Sequence, residues 1–182
     1  NQIGYPLYRL QIQEGLQIQA YNDPMTGLFN FRAFKENLEE ELKRSHRYSH
    51  KLSIVIFDID GFKLVNDGYG HPVGNRIVAE VAAILRQNVR ETDLPARYGG
   101  DEFVVICPET DSQSAMVLAE RVRKEIAGFQ FHAAKNETFK LTCSAGIAAY
   151  PEHAEREETL MEAADAALYT AKRLGRNRSI CA

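Results

Sequence analysis

Asp58 and Asp101 each stand at the edge of an apolar, strand-like run, where a carboxylate can do chemical work. Asp58 closes Leu52-Ser53-Ile54-Val55-Ile56-Phe57, a nearly continuous apolar run with β-branched residues that reads as a buried central strand. Asp101 belongs to Gly99-Gly100-Asp101-Glu102, a turn-compatible tetrad between Ala96-Arg97-Tyr98 and Phe103-Val104-Val105-Ile106, which together read as a hairpin. If the two strands are neighbours, the carboxylates converge at one sheet edge. Hard oxygen ligands held so, with room for water, suit Mg²⁺ bound together with a phosphate. A single strand-ending Asp is more often a turn former or helix cap, and the pair improves on that without deciding it. Gly99 and Gly100 remove side chains where a hairpin tip could touch a planar base or a phosphate, although a tight turn alone would also use them. Lys172 and Arg176, four residues apart, are expected to share a face of the last helix. They clamp phosphate only if that face points to the acidic edge, since a charged helix C-terminus is ordinary.

These groups need a frame. Asp23-Pro24 marks a break, and the pattern of Phe31, Phe34, Leu38 and Leu42 predicts a helix from Asn30 to about Ser49. After Asp60-Gly61 a short helix and a long one, from about Gly74 to Val89, are expected. The hairpin is followed by a helix over about Ser112 to Ile126, strands near Phe129–His132 and Phe139–Ala149, and an amphipathic helix from about Glu158 to Leu174 that closes at Gly175. That order gives an α+β fold: an antiparallel-rich central sheet flanked by helices, of the split βαβ, ferredoxin-like sort.

A chain of 182 residues is close to one domain and buries enough surface to fold without a staple. It is 45% hydrophobic and 26% charged, which excludes disordered and collagen-like readings. The 22 Lys and Arg against 25 Asp and Glu give a net charge of −3, which argues against a nucleic-acid binder while leaving small anions open. Cys107, Cys143 and Cys181 are odd in number and far apart, so neither a zinc knuckle nor a disulfide framework fits, and reduced thiols are expected. No apolar run is long enough to span a membrane. The chain starts at Asn1 without a signal peptide and reads as a fragment of a longer protein. Residues 1–22, with loosely spaced Leu7, Leu10, Leu16 and Ile18, are either a solvated linker or the end of a signalling helix from an upstream sensor domain.

Arg97-Tyr98-Gly99-Gly100-Asp101-Glu102-Phe103 reads R-Y-G-G-D-E-F, and the chain resembles the GGDEF family of diguanylate cyclases from about Asp23 to Ser179. Asp23-Pro24-Met25-Thr26-Gly27-Leu28-Phe29-Asn30 is similar to the family's D-x-L-T-G-L-x-N. Phe57-Asp58-Ile59-Asp60-Gly61-Phe62-Lys63-Leu64-Val65-Asn66-Asp67 resembles F-D-I-D-x-F-K-x-x-N-D, and Gly70-His71-Pro72-Val73-Gly74 continues it. Ala164-Asp165 through Leu168-Tyr169, Ala171-Lys172 and Gly175-Arg176-Asn177 resemble the family's closing helix.

The resemblance implies a nucleotidyl-cyclase palm-type fold and a bacterial signalling enzyme, cytoplasmic as a domain, that condenses two GTP into cyclic di-GMP. Asp58 and Asp101 would be side-chain ligands of Mg²⁺, two ions per site with Mn²⁺ a substitute, and Ile59 would supply a backbone carbonyl. Asp101 would also help to deprotonate the attacking 3′-hydroxyl. Asn66 and residue 75 would hydrogen-bond guanine, with His71 nearby and Gly100 leaving room for the nucleotide. The Phe62 backbone, Lys63, Lys172 and Arg176 would hold the triphosphate, Lys63 offsetting charge in the transition state. Each subunit would hold one GTP, so catalysis would need a homodimer. Arg90-Glu91-Thr92-Asp93, R-x-x-D at the spacing of the family's product-inhibition site, would bind cyclic di-GMP through Arg90 and Asp93.

Two positions depart from the family. Phe31 replaces the usual Arg after Asn30, with Arg32 next to it. Asn75 replaces the Asp usual in G-H-x-x-G-D, and an amide offers one acceptor where a carboxylate accepts from both guanine N1–H and N2–H₂. Two rival readings follow: a catalytically silent module that binds GTP or cyclic di-GMP, and a cyclase with relaxed base specificity. The intact Gly-Gly-Asp-Glu-Phe run counts against the first.

Overall fold

The computed structural model describes residues 21–133 and 137–182. The expected linker or signalling helix of residues 1–22 thus lies outside the described residues apart from Tyr21 and Asn22.

Asn30 starts the first helix, α1 (Phe31–Tyr48), its side chain accepting from Ala33 N–H. β1 (Leu52–Ile59) follows, then the short α2 (Phe62–Tyr69) and α3 (His71–Asn88). β2 (Leu94–Arg97) and β3 (Glu102–Pro108) form the hairpin, and α4 (Ser112–Gly128) is capped by Asp111. β4 (Phe131–His132) and β5 (Thr138–Phe139) make a separate two-stranded ribbon. β6 (Cys143–Tyr150), α5 (Glu157–Arg173) and β7 (Ser179–Cys181) close the chain.

The main sheet has the order β2-β3-β1-β6-β7, with β1 antiparallel to both β3 and β6. This is the α+β architecture expected from the sequence. Strand alternation makes β1 serve two cores. Val55, Phe57 and Ile59 pack with Ile77 and Leu85 of α3 and Val122 of α4, while Ile54 and Ile56 pack with Phe34 and Leu38 of α1 and Leu168 of α5. Helices therefore cover both faces, and every β1 residue from Leu52 to Phe57 is buried. Gly146 lies under α5, where an added Cβ would collide with the Ala164 carbonyl and the Leu168 backbone N.

Four details differ from expectation. α3 begins at His71 rather than near Gly74, because Gly70 turns the chain at φ 81° and Pro72 suits a first helical turn. The strand expected over 139–149 is two, β5 and β6. α5 ends at Arg173, so Arg176 does not share its face with Lys172. Arg176 instead lies in a left-handed turn with φ 62°. β7 pairs parallel to β6, a strand that three residues at the chain's end do not announce. Cys107 and Cys143 are buried, Cys181 is half-buried and all three are unpaired, with burial pushing the thiols up. Among the described residues no helix is long and apolar enough to cross a membrane.

Candidate active site

The register between β1 and β3 sets Asp58 opposite Glu102, and Ile59 N–H donates to the Asp101 carbonyl at 3.3 Å. The two carboxylate positions predicted to converge thus sit on adjoining strand ends at one sheet edge. Lys172, in the last turn of α5, places Nζ 2.7 Å from Asp58 Oδ2. Burial, reinforced by the charges of Asp101 and Asp60, pushes the Asp58 carboxyl up against the opposing pull of Lys172. Burial and the Asp58 charge likewise raise Glu102, and burial raises Asp165. The edge therefore carries carboxylates in excess of its cations. The donors Asp58, Asp101 and the Ile59 carbonyl are hard oxygens, so the residues fit Mg²⁺. Among the described residues no three His, Cys, Asp or Glu side chains group as a ready-made cage, and a Mg²⁺ here would complete its shell with water and phosphate.

Asp60 has a different position. Its carboxylate is buried and accepts from Thr142 Oγ1 at 2.6 Å, Ser144 Oγ at 2.7 Å and Asn177 N–H at 3.1 Å. It faces the protein, not the edge.

Gly61 reverses the chain at φ 73° and starts α2, whose first-turn N–H groups belong to Phe62 and Lys63. Unpaired first-turn N–H groups favour phosphate. Asn66, half-buried on α2, approaches Gly74 of α3 so closely that a Cβ at 74 would strike its amide oxygen and come within 3.2 Å of Phe62 Cζ. A glycine at 74 is what lets the two helices meet with Asn66 between them. His71 and Asn75 lie exposed at the start of α3, beside this corner. The ribbon buttresses it: Tyr69 stacks on Phe139 at 5.2 Å and donates its hydroxyl to Glu137 at 3.0 Å.

Neither Gly99 nor Gly100 has a positive φ, and a Cβ on Gly100 would meet nothing within 4 Å. Backbone geometry does not demand glycine at Gly100, which leaves open space above the tip as the reason for it. Arg97 holds this tip, donating to the Gly99 carbonyl at 3.0 Å and the Gly100 carbonyl at 2.8 Å while pairing with Asp23 at 3.1 Å. Although burial opposes it, hydrogen bonds from Thr26 and the Arg97 charge hold the Asp23 carboxyl below its usual range. Glu102 and Arg97 were not singled out from sequence. Their place beside the Gly-Gly pair was the available signal.

Arg90 and Asp93 stand apart from this edge. They form the turn before β2, at the end of the hairpin opposite Gly99, with Asp93 about 20 Å from it along the strand direction. Asp93 is buried, and its Oδ2 accepts from Arg90 N–H at 2.8 Å. The two residues line one small cavity with Cys107, Thr110 and Arg121, and Arg121 donates to the Asn88 carbonyl at 2.5 Å. On its other side Arg90 opens onto a hollow of about 440 Å³ shared with Arg44 and Glu109. Neither Arg121 nor Arg44 was separable in sequence from a solvated helix face.

A family model described as "Diguanylate cyclase, GGDEF domain" matches residues 20–178. Diguanylate cyclase DgcP of Pseudomonas aeruginosa is 46% identical over 160 residues, which is 88% of this chain and 24% of DgcP. Response regulator PleD of Caulobacter vibrioides is 40% identical over 159 residues, 87% of this chain and 35% of PleD. The chain thus spans a quarter to a third of these two curated relatives. The coiled coil and GGDEF domain of DgcB from Caulobacter crescentus, solved in complex with c-di-GMP, superposes with a TM-score of 0.90 at 31% identity, covering 98% of this chain and 94% of that one. Diguanylate cyclase SiaD of Pseudomonas aeruginosa, solved with its activator SiaC, gives a TM-score of 0.87 at 34% identity, covering 98% of this chain and 68% of that one.

Proposed function

The chain belongs to the GGDEF family of diguanylate cyclase domains, and on that footing we propose that it condenses two GTP into cyclic di-GMP and two pyrophosphates. The convergence of Asp58 and Asp101 at one sheet edge, with Lys172 on Asp58, carries this reading. The 3′-hydroxyl of one GTP attacks the α-phosphorus of the other, in line with departing pyrophosphate. The reciprocal attack closes the ring, so two P–O bonds form, two break and two protons leave. Asp101 accepts the hydroxyl proton. Divalent cations held by Asp58, Asp101 and the Ile59 carbonyl would lower the hydroxyl's pKa and neutralise leaving charge. The N–H groups at Phe62 and Lys63, with the side chains of Lys63, Lys172 and Arg176, hold the triphosphate, and Asn66 and Asn75 read the base. Lys63, Asn75, Gly100 and Arg176 are all exposed, so the site is open on one side. A second copy of the chain is needed to deliver the other GTP from there. With GTP as its substrate, the domain would work in the cytoplasm. Incubation with GTP, ATP and their mixture, with products identified by mass, is expected to yield cyclic di-GMP from GTP. Nucleotide binding without product would favour the silent module instead.

Selectivity is expected to be looser than an Asp at 75 would give. Adenine presents an acceptor at N1 and a donor at N6, which a rotating amide meets and a carboxylate opposes. Asn75→Asp should raise the GTP-over-ATP preference about tenfold to a hundredfold, as one misassigned hydrogen bond is worth about 1–3 kcal/mol. Competition assays that show the preference unchanged or lowered would place base reading elsewhere.

Feedback inhibition belongs to the same proposal. Arg90 is exposed and shares its cavity with Asp93 and Arg121, a cationic set suited to the phosphates and guanine edge of cyclic di-GMP. Arg90→Ala should shift half-inhibition to higher product concentration, about tenfold or more, with the initial rate unchanged. An unaltered inhibition curve would reduce Arg90 and Asp93 to a structural turn.

A further inference from the structure

Three consecutive residues after α5 are left-handed: Gly175, Arg176 and Asn177, with φ of 109°, 62° and 48°. This conformation crowds the Cβ of an L-residue, and for Arg it persists only where surrounding structure imposes it. The surroundings here are specific. Arg176 N–H donates to the Ala171 carbonyl at 3.0 Å, and Asn177 N–H to Asp60 Oδ2 at 3.1 Å. From the other side, Arg123 of α4 donates from Nη1 to Asn177 Oδ1 at 2.7 Å.

Arg123 is itself immobilised. Its Nε and Nη2 grip the two oxygens of Glu120, each at 2.8 Å, and Glu120 also accepts from Ser179 Oγ at 2.8 Å. Those bonds pull the Glu120 carboxyl down to about 2, so the pair stays ionised at any working pH. Asp60 is braced by Thr142 and Ser144. The turn also lies where it matters. Asp60 is two residues beyond Asp58, and Lys172, four residues before Arg176, reaches Asp58. Arg176 itself is exposed.

We infer that Arg123 and Asp60 are positioning residues, clamping the left-handed turn 175–177 so that the Arg176 guanidinium faces the triphosphate. The inference rests on the proposed role of Arg176 as a phosphate holder. Neither clamp residue touches nucleotide: Asp60 is buried, and the Arg123 side chain is 14% exposed with its donors turned to Glu120 and Asn177. It also accounts for the second acid of Asp58-Ile59-Asp60, which the metal reading leaves without work. A helix that simply carried both cations would need no strained turn. Here the cation is set beyond the helix end, at an angle fixed by α4 and β1.

The test is titration of the full chain with Mg²⁺ and 3′-deoxy-GTP, which lacks the attacking hydroxyl, with thermal unfolding followed in parallel. Arg176→Ala should weaken binding about tenfold or more, the scale of a lost charged hydrogen bond. Arg123→Ala and Asp60→Asn should each weaken it about three- to tenfold, less than Arg176→Ala because they reach the nucleotide only through the turn. The combination of Arg123→Ala with Arg176→Ala should bind no more weakly than Arg176→Ala alone, because the clamp acts only through Arg176. If Asp60→Asn fails to fold, Asn177→Ala releases Arg123 from the turn and takes its place. Wild-type affinity in Arg123→Ala, or additive losses in the double variant, would overturn the inference while leaving Arg176's role intact. Wild-type affinity in Arg176→Ala would overturn both.

Discussion

Asp101→Ala is expected to bring cyclic di-GMP formation at least about a thousandfold below the parent rate, some 4 kcal/mol of transition-state stabilisation. Asp101 supplies a hard oxygen where carboxylates exceed cations, and in the proposed reaction it would take the proton of the attacking hydroxyl. The fold should be indifferent to the change. The contact from Asp101 to Ile59 N–H is made by its backbone carbonyl, which alanine keeps. The strands on either side are buried from Leu52 to Phe57 and from Phe103 to Cys107. Initial rates by chromatography, with unfolding measured on the same preparation, separate the two effects. A rate within about tenfold of the parent would remove Asp101 from the chemistry.

Gly146→Ala is expected to cost about 3 kcal/mol or more and to lose activity with it. The added methyl meets the backbone of α5 at Ala164 and Leu168, and backbone cannot rotate away as a side chain can. Either β6 or α5 must shift. Gly146 stands opposite Ile56 in the β1 register, so displacement of α5 also carries Lys172 away from Asp58. Chemical denaturation should show a lower midpoint with an unaltered slope, and the GTP affinity of the folded fraction should fall. Parent-like stability would mean that the interface between β6 and α5 is far more compliant than close-packed cores are.

Much of this was legible in sequence because the signals were local and repeated. The run from Leu52 to Phe57 fills both cores and leaves little alternative to a central strand, and Asp58 at its end marks the edge. The Gly99-Gly100 pair between two apolar runs specified the hairpin. What was not legible depended on distance. Lys172 and Arg176 are four apart, which on a continuing helix would align them. The helix instead closes on its own backbone, with Gly175 N–H on the Lys172 carbonyl and Arg176 N–H on the Ala171 carbonyl, and the contacts of Asp60 and Arg123 with Asn177, 117 and 54 residues away in sequence, hold the turn beyond it. β7 is three residues long and borrows its strand character from β6. Arg97 reads as a strand residue until Asp23, 74 positions earlier, is found paired with it. Gly146 reads as a weak point in a strand until α5 is laid against it.

The arrangement of the sheet ties both of its flanks to the site. Phe29 bridges to Ala96 on β2, the outer strand at one side, while β7 ends the sheet at the other. Four strand spacings separate those sides, about 19 Å. From the front of the chain the hairpin tip is two bonded steps away, from Asp23 to Arg97 and from Arg97 to the Gly99 and Gly100 carbonyls. On the other side, the 175–177 turn just ahead of β7 is bonded through Asn177 N–H to Asp60, two residues beyond Asp58. Both flanks of the sheet are thus bonded to the site, the front through Arg97 to the hairpin tip and the rear through Asp60 to the end of β1.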